Sequence, residues 1–378
     1  MRQMNNKLSV ALVGNYPPPY GGVPVHVMRL FRRLSEDEID VKVYCQPLMK
    51  SNVIDRNVIP SKEPLWSGKY FQSWLHWWFI YYGRNCKQKI IHCHDGWAMS
   101  ISMLLMLILQ KKIVMTFHDQ MTDLKWKQSS WLTRLASAIL FRNKSVWWIA
   151  VSSEIKNQLN NIGAPAERIT VIPAYLQPNS SEISQKLPSS IISFINRHSP
   201  ILSTYGWRLY FDKSGTEIHG FDLCIELIAH LTKTYPNIGL IIVLPQIIHE
   251  DYFHSLLDKI KEYGLTDNIL FHTKPLESAI PLWAKSDVYL RCTTTDGDAL
   301  SIREAMSVGT PVIASDASTR PDGVILFKNR NQEQFNIVAT ETVHKIKHLK
   351  LGSTYVQHDE DSYNAIVSVY NQTCGIEL

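Results

Sequence analysis

Short runs of apolar and β-branched residues alternate with stretches of helical periodicity along the whole chain. In the first half the runs are LSVALVG, DVKVYC, KIIHCH, KIVMTF, WWIAVS and RITVIP. In the second half they are PILSTYG, IGLIIVLP, NILFH, DVYLRC, TPVIAS and GVILF. The runs are nearly continuous rather than alternating, as expected of strands buried on both faces. With helices between them they predict an α/β fold of parallel sheets covered on both sides. The polar segment LQPNSSEISQKLPSS reads as a linker between two series of runs. The prediction is therefore two doubly wound Rossmann-like domains facing a cleft, not a closed (β/α) barrel. We place the first domain at 1–175 and the second at 176–354. A last helical stretch, DSYNAIVSVYNQT, has no strand after it, and a terminal helix over about 355–378 is expected to pack back on the first domain. The longest apolar run, Ala98 to Leu109, is too short to span a bilayer and predicts a buried helix.

Composition agrees with this picture. A chain of 378 residues with 45% hydrophobic and 19% charged residues suits two soluble globular domains. The opening MRQMNNKLSV reads as a polar lead and a first strand, not as a secretory leader. The six cysteines form no C-x-x-C pair and read as reduced thiols of a cytoplasmic protein. Charge changes the picture more. Met1 to Tyr175 carries 22 Lys and Arg against 11 Asp and Glu, or +11, whereas the remainder carries 17 against 23, or −6. Either the first half meets an anionic partner, or its surface is biased without function. Bases and aromatics interleave at Trp66 to Arg84 and at Lys125 to Lys144. In the second stretch Trp131, Leu135 and Ile139 recur at helical spacing, flanked by Lys125, Lys127, Arg134, Arg142 and Lys144. That stripe is either core or a surface for anionic lipid, and the charge favours docking on the inner face of a membrane. No recognition motif accompanies the charge, so nucleic acid is not expected as a partner.

Ligands of open α/β sheets bind beyond the carboxyl ends of strands, so chemistry is sought in the turns that follow them. In GNYPPPYGGVPVHV, Gly21 and Gly22 open a helix. They serve either an anion at free backbone N–H groups or a turn that needs positive φ. IIHCHDGW and MTFHDQ place His92 and His94, then His118 and Asp119, just after strands. A metal site would need a third ligand, and no spacing supplies one, so a polar catalytic rim is the better reading. In TTTDGDALSIREAMSVGTPVIASD a loop leads into a helix that Gly309 closes before Pro311. Ser301 and Glu304 have the spacing of a capping box. Asp296 and Asp298, beside loop N–H groups, also suit a hydroxyl-rich ligand such as a polyol or nucleotide.

With these segments in hand, the sequence resembles the retaining family 4 glycosyltransferases of the GT-B fold. PPPYGGVPVHV resembles their first Gly-rich loop, TFHD the strand end with the active-site His, and IAVSSEIKNQL with GAPAERITVIP the end of the first domain. DGDALSIREAMSVGTPVIAS resembles their E-x7-E signature. The resemblance implies that Glu304 binds the donor ribose and that Asp296 stands next to the transferred sugar. It implies that the backbone of Gly297, Asp298, Ala299 and Leu300 touches sugar hydroxyls. His118 would face the sugar, and Gly21 and Gly22 the diphosphate. Two positions depart from the pattern. Asp296 replaces a Glu, and His219-Gly220 stands where the family has Lys-Gly. Arg208 matches the clamp arginine, and Lys213, Arg291 or Arg303 could substitute for the missing lysine. The implied activity is metal-independent, cofactor-free hexosyl transfer from a UDP- or GDP-sugar to a glycan or lipid-linked glycan of bacterial surface polysaccharide, at the cytoplasmic side of the membrane. Its rivals are a sugar-nucleotide epimerase on the same fold and a degenerate nucleotide-binding partner subunit.

Overall fold

A computed structural model describes residues 8–18, 20–46, 55–61, 86–94, 96–212, 214–349 and 362–376. The chain divides into two compact units, Met1–Gln177 with Asp361–Leu378, and Pro178–Glu360. The first unit holds a parallel sheet of β1 (Ser9–Val13), β2 (Asp40–Cys45), β3 (Val58–Pro60), β4 (Ile90–Cys93), β5 (Lys112–Phe117), β6 (Val146–Ala150) and β7 (Ile169–Val171). Their order is β3-β2-β1-β4-β5-β6-β7. The second holds β8 (Ile201–Tyr205), β9 (Gly239–Val243), β10 (Ile269–His272), β11 (Val288–Arg291), β12 (Val312–Ser315) and β13 (Ile325–Phe327). Their order is β10-β9-β8-β11-β12-β13, again all parallel. Every apolar run named above forms a strand; β3 is additional.

The continuous apolar runs have the expected cause. In β1, Ala11 and Val13 enter one core, while Val10 and Leu12 enter the core on the opposite face. In β9, Leu240 and Ile242 do the same against Ile241 and Val243. Successive side chains of a strand point to opposite faces, so both faces must be apolar. The strand order reverses between β1 and β4 in the first unit and between β8 and β11 in the second. Such switch points are where loops diverge and leave room for a ligand.

Two expectations change, and the one for the terminal helix holds. The run Ala98–Leu109 is a 3-10 turn, Gly96–Met99, followed by the helix Ser100–Ile108, and it is not wholly buried. Met103 and Met106 enter the core, but Ile108 is 70% and Leu109 45% exposed. The polar linker contains two short helices, Ser180–Ile183 and Ser189–Ile195. The capping box lies there: Asn179 Oδ1 accepts from the Glu182 N–H at 2.9 Å, and Glu182 Oε1 accepts from the Asn179 N–H at 3.4 Å. The terminal helix, Tyr363–Cys374, buries Tyr363, Ile366, Val369 and Tyr370 in a core of the first unit. The stretch Trp66–Arg84 and Lys213 lie outside the described residues.

Candidate functional site

In the second unit the polar groups gather at the β8/β11 switch point. Arg291 ends β11 and grips Asp296 with both edges of its fork, Nε to Oδ2 at 2.9 Å and Nη2 to Oδ1 at 2.7 Å. Asp296 Oδ2 also accepts from Arg320 Nη1 at 2.8 Å and from the Thr293 hydroxyl at 2.7 Å. Arg320 continues to Thr293 Oγ1, and its Nε donates to the Ser315 carbonyl at 3.0 Å. Burial alone would raise the Asp296 pKa. The charge and hydrogen bonds of Arg291, then those of Arg320, outweigh it and hold the carboxyl well below the usual range. The side chains of Asp296 and Arg320 keep only 10% and 1% of their surface. Asp296 was expected to offer its oxygens to sugar hydroxyls. Those oxygens already receive four donors, so it acts instead as the anchor of two arginines. Asp298 accepts from Arg303 Nε at 2.8 Å, so Arg303 is not an uncompensated cation.

The helix Leu300–Ser307 begins at Ala299, which is extended and offers no side-chain cap. Ser301 is already helical, and its Oγ accepts from the Tyr289 hydroxyl at 2.8 Å. The capping-box reading of Ser301 and Glu304 is therefore overturned. Glu304 is buried within the helix, and its charge helps raise the pKa of Tyr205 behind burial itself. Gly309 closes the helix with φ +80.

Past β8, Arg208 lies over the Tyr210 ring at 4.2 Å from its centroid. Its buried Nε has no partner, and no carboxylate among the described residues pairs with it. His219, at the position of the expected lysine, reaches the Arg208 carbonyl through Nε2 at 2.9 Å. Burial, then the charge of Arg291, lowers its pKa to about 4. The ring is thus neutral and fixes the Arg208 segment. A Cβ on Gly206 would approach His219 Cδ2 to 2.7 Å, and one on Gly220, at φ +70, would approach the Cys292 carbonyl oxygen to 2.5 Å. Both glycines are demanded by close approach. Glu217 receives the N–H groups of His219 at 2.7 Å and Phe221 at 3.1 Å, capping the helix Phe221–Leu231, and burial pushes its pKa up to about 7.

In the first unit, Gly21 is the extended N-cap of the helix Gly22–Glu36, with φ −125. Neither Gly21 nor Gly22 has positive φ, so the turn reading fails. A Cβ on Gly22 would meet nothing within 4 Å, and one on Gly21 only Pro24 Cδ at 3.8 Å. The helix start receives no side-chain cap. His94 and His118 follow β4 and β5, and their Nδ1 and Nε2 lie 3.2 Å apart. His26, from the first helix, joins them: its ring centroid is 5.3 Å from that of His94 and 5.2 Å from that of His118. Its Nδ1–H donates to the Ala174 carbonyl at 2.7 Å. Burial, and then the neighbouring rings, depress the pKa of His94 and His118 well below the ordinary value. His92 is different. Both of its nitrogens are partnered at 2.6 Å, by Tyr370 Oη and Thr116 Oγ1. Asp119 turns away to Lys125 and the Met121 N–H.

Sequence reasoning missed His26, Thr293 and Arg320. His26 stood in plain view on the buried face of the Gly-Gly helix. Arg320 had no local signal, because it meets Asp296 across 24 residues.

A profile of the family described as Glycosyltransferase Family 4 matches residues 20–175, and one described as Glycosyl transferases group 1 matches residues 212–361. No curated protein sequence matches significantly. Among solved structures, Anabaena HepE in complex with UDP and glucose is 16% identical, with TM-score 0.65 over 97% of this chain and 98% of that one. WaaG, a glycosyltransferase involved in lipopolysaccharide biosynthesis, is 17% identical, with TM-score 0.63 over 97% and 98%. Sucrose-phosphate synthase from Thermosynechococcus elongatus is 15% identical, with TM-score 0.70 over 98% of each chain. At such identities the likeness establishes the fold alone.

Proposed function

The chain belongs to the family 4 glycosyltransferases of the GT-B fold, and from that premise we propose that it transfers a hexose-type residue, with retention, from a nucleotide-sugar donor to a glycan or lipid-linked glycan in bacterial surface polysaccharide synthesis. The donor is a UDP- or GDP-sugar, and the complex of HepE with UDP and glucose supports UDP. One observation carries the donor half of this reading: the guanidinium of Arg208, beside the β8/β11 switch point, has no carboxylate partner among the described residues. A planar fork suits two oxygens of a diphosphate at once. By resemblance, Glu304 serves the ribose, the backbone of Gly297, Asp298, Ala299 and Leu300 serves the sugar, and Gly21 and Gly22 offer uncapped N–H groups to phosphate. Asp296 acts through Arg291 and Arg320. No metal is required, because arginine and helix N-termini supply the positive charge for the leaving group.

Arg208→Met tests this assignment by calorimetry with UDP, GDP and the matching nucleosides. The wild type should bind one diphosphate clearly better than its nucleoside. The variant should lose roughly 10- to 100-fold for the diphosphate, the effect of about 1.5–3 kcal/mol for a bond to a charged group, and almost nothing for the nucleoside. Equal affinity of variant and wild type for the diphosphate would remove Arg208 from the clamp. Absence of nucleotide binding by the wild type would favour the degenerate-subunit reading.

We propose also that the first unit docks on an anionic membrane from the cytoplasmic side. The helix Trp131–Arg142 buries Ala136, Ser137, Leu140 and Phe141, while Trp131 is 66%, Leu135 52% and Ile139 42% exposed. The apolar stripe therefore belongs to the surface and not to the core. Lys125 and Lys127 are engaged by Asp119 and Asp123. Arg134, Arg142 and Lys144 are exposed and make no ion pair among the described residues. Each basic residue near anionic lipid contributes about 1 kcal/mol. Co-sedimentation with phosphatidylglycerol vesicles should occur at low salt, fade as salt rises, and drop when Arg134, Arg142 and Lys144 are all changed to Gln. Persistent binding in that variant would move the contact elsewhere. No described helix is long and apolar enough to cross a membrane.

A further inference from the structure

His26, His94 and His118 come from three separate elements, yet one ring nitrogen of each lies within 4.8 Å of the other two. Tautomer and burial distinguish the group from ordinary core histidines. A carbonyl can only accept, so the 2.7 Å contact to Ala174 fixes the proton of His26 on Nδ1. Its Nε2 is then a bare lone pair, buried and without a partner. His94 Nε2 is buried and unpartnered as well. His94 meets His118 through Nδ1, so its Nε2 lies on the other edge of the ring, and the orphan left to meet an ion is His26 Nε2. Buried polar atoms are nearly always satisfied, so that lone pair points to something that fills the space beside it. His92, one residue pair away, shows the alternative, with both nitrogens bonded.

The spacing suits a transition-metal ion. Zinc bonds of about 2.0–2.1 Å in a tetrahedron set neighbouring ligand atoms about 3.3 Å apart. The nearest nitrogens of His94 and His118 are already 3.2 Å apart. The widest separation of 4.8 Å closes to that value by a shift of about 1.5 Å, within reach of side-chain rotation. The bond from His26 to the Ala174 carbonyl is the outer contact that orients a metal-bound imidazole. The rings are neutral, as ligands must be. His26 and His94 are buried while His118 is half-buried, so an ion can enter past His118 and keep a fourth position for water.

We propose that His26, His94 and His118 bind a divalent transition-metal ion, Zn²⁺ first among them, and that the bound ion inhibits the enzyme by withdrawing His118 from the sugar. The inhibitory half rests on the transferase reading above; the binding half does not.

The test uses the full chain, stripped with a chelator, in competition with a chromophoric zinc indicator. One Zn²⁺ per chain should bind at micromolar or tighter affinity, and Co²⁺ in its place should give the visible bands of a four-coordinate site. His26→Ala should weaken Zn²⁺ binding by at least about tenfold, and His94→Ala should do so independently should the first variant melt early. Absence of stoichiometric binding, or binding that survives both substitutions, would overturn the site and leave buried water as the filler. Zn²⁺ should lower wild-type turnover reversibly and leave His26→Ala largely insensitive. Tight binding with unaffected turnover would overturn the inhibitory half alone. A chain that binds Zn²⁺ and transfers no sugar would sink the transferase reading, not the metal site.

Discussion

Asp296→Asn is expected to destabilise the second unit by about 3–5 kcal/mol, the effect of removing one partner from a buried ion pair. Asparagine matches the shape of aspartate, yet it leaves Arg291 and Arg320 buried with no counter-charge, and half of its fork donates where an acceptor is needed. Opening should be local first. Amide exchange in 288–327 should accelerate while β9 and β10 stay protected. The sign of the pH dependence follows from the depressed pKa of Asp296. A carboxylate held below its unfolded value stabilises above that value, about 3.9, and loses the contribution as pH falls through the folded one. The stability gap between wild type and variant should therefore be full at neutral pH and narrow below about pH 4. A variant that keeps wild-type exchange and loses only donor affinity would restore the reading of Asp296 as a sugar contact.

That reading illustrates where the sequence was legible. The strands were legible because a parallel strand covered on both faces must be apolar throughout, a signal local to five or six residues. The strand Val58–Pro60 escaped because it is three residues long at the sheet edge, where one partner suffices. The S-x-x-E spacing at Ser301 misled because a capping box depends on where the backbone turns helical, and Ala299 turns it two residues earlier. The same logic succeeded unnoticed at Asn179 and Glu182, in a segment read as linker. Positions near a site were legible, because the strand ends mark them. The partners within it were not. The contacts of Asp296 with Arg320, and of His26 with His94 and His118, join distant segments, and nothing in local spacing encodes such a meeting.

His118→Ala is expected to lower turnover about 100- to 10,000-fold, the range for a positioned group that donates to or accepts from the reacting centre. Nucleoside diphosphate affinity should stay within about twofold, because an interaction made only in transfer leaves ground-state binding intact. The imidazole follows β5, and burial keeps it neutral. It cannot act as a cation towards the diphosphate; it can offer a hydrogen bond to a sugar hydroxyl and hold the ring in the reactive pose. His118→Gln retains a donor and should recover part of the loss. Neutrality has a second consequence. Since the pKa lies well below 6.5, the rate should show no limb near that pH, and a limb there would reveal an imidazole that titrates like an exposed one. A purely structural role predicts another pattern, in which His118→Ala melts early and loses nucleotide binding together with turnover. Metal separates the remaining accounts. If His118 works as a free imidazole, a chelator leaves activity unchanged or raises it by removing adventitious zinc. Activity lost to a chelator and restored by a divalent ion would make the histidine cluster the holder of a required metal, and His118 one of its ligands.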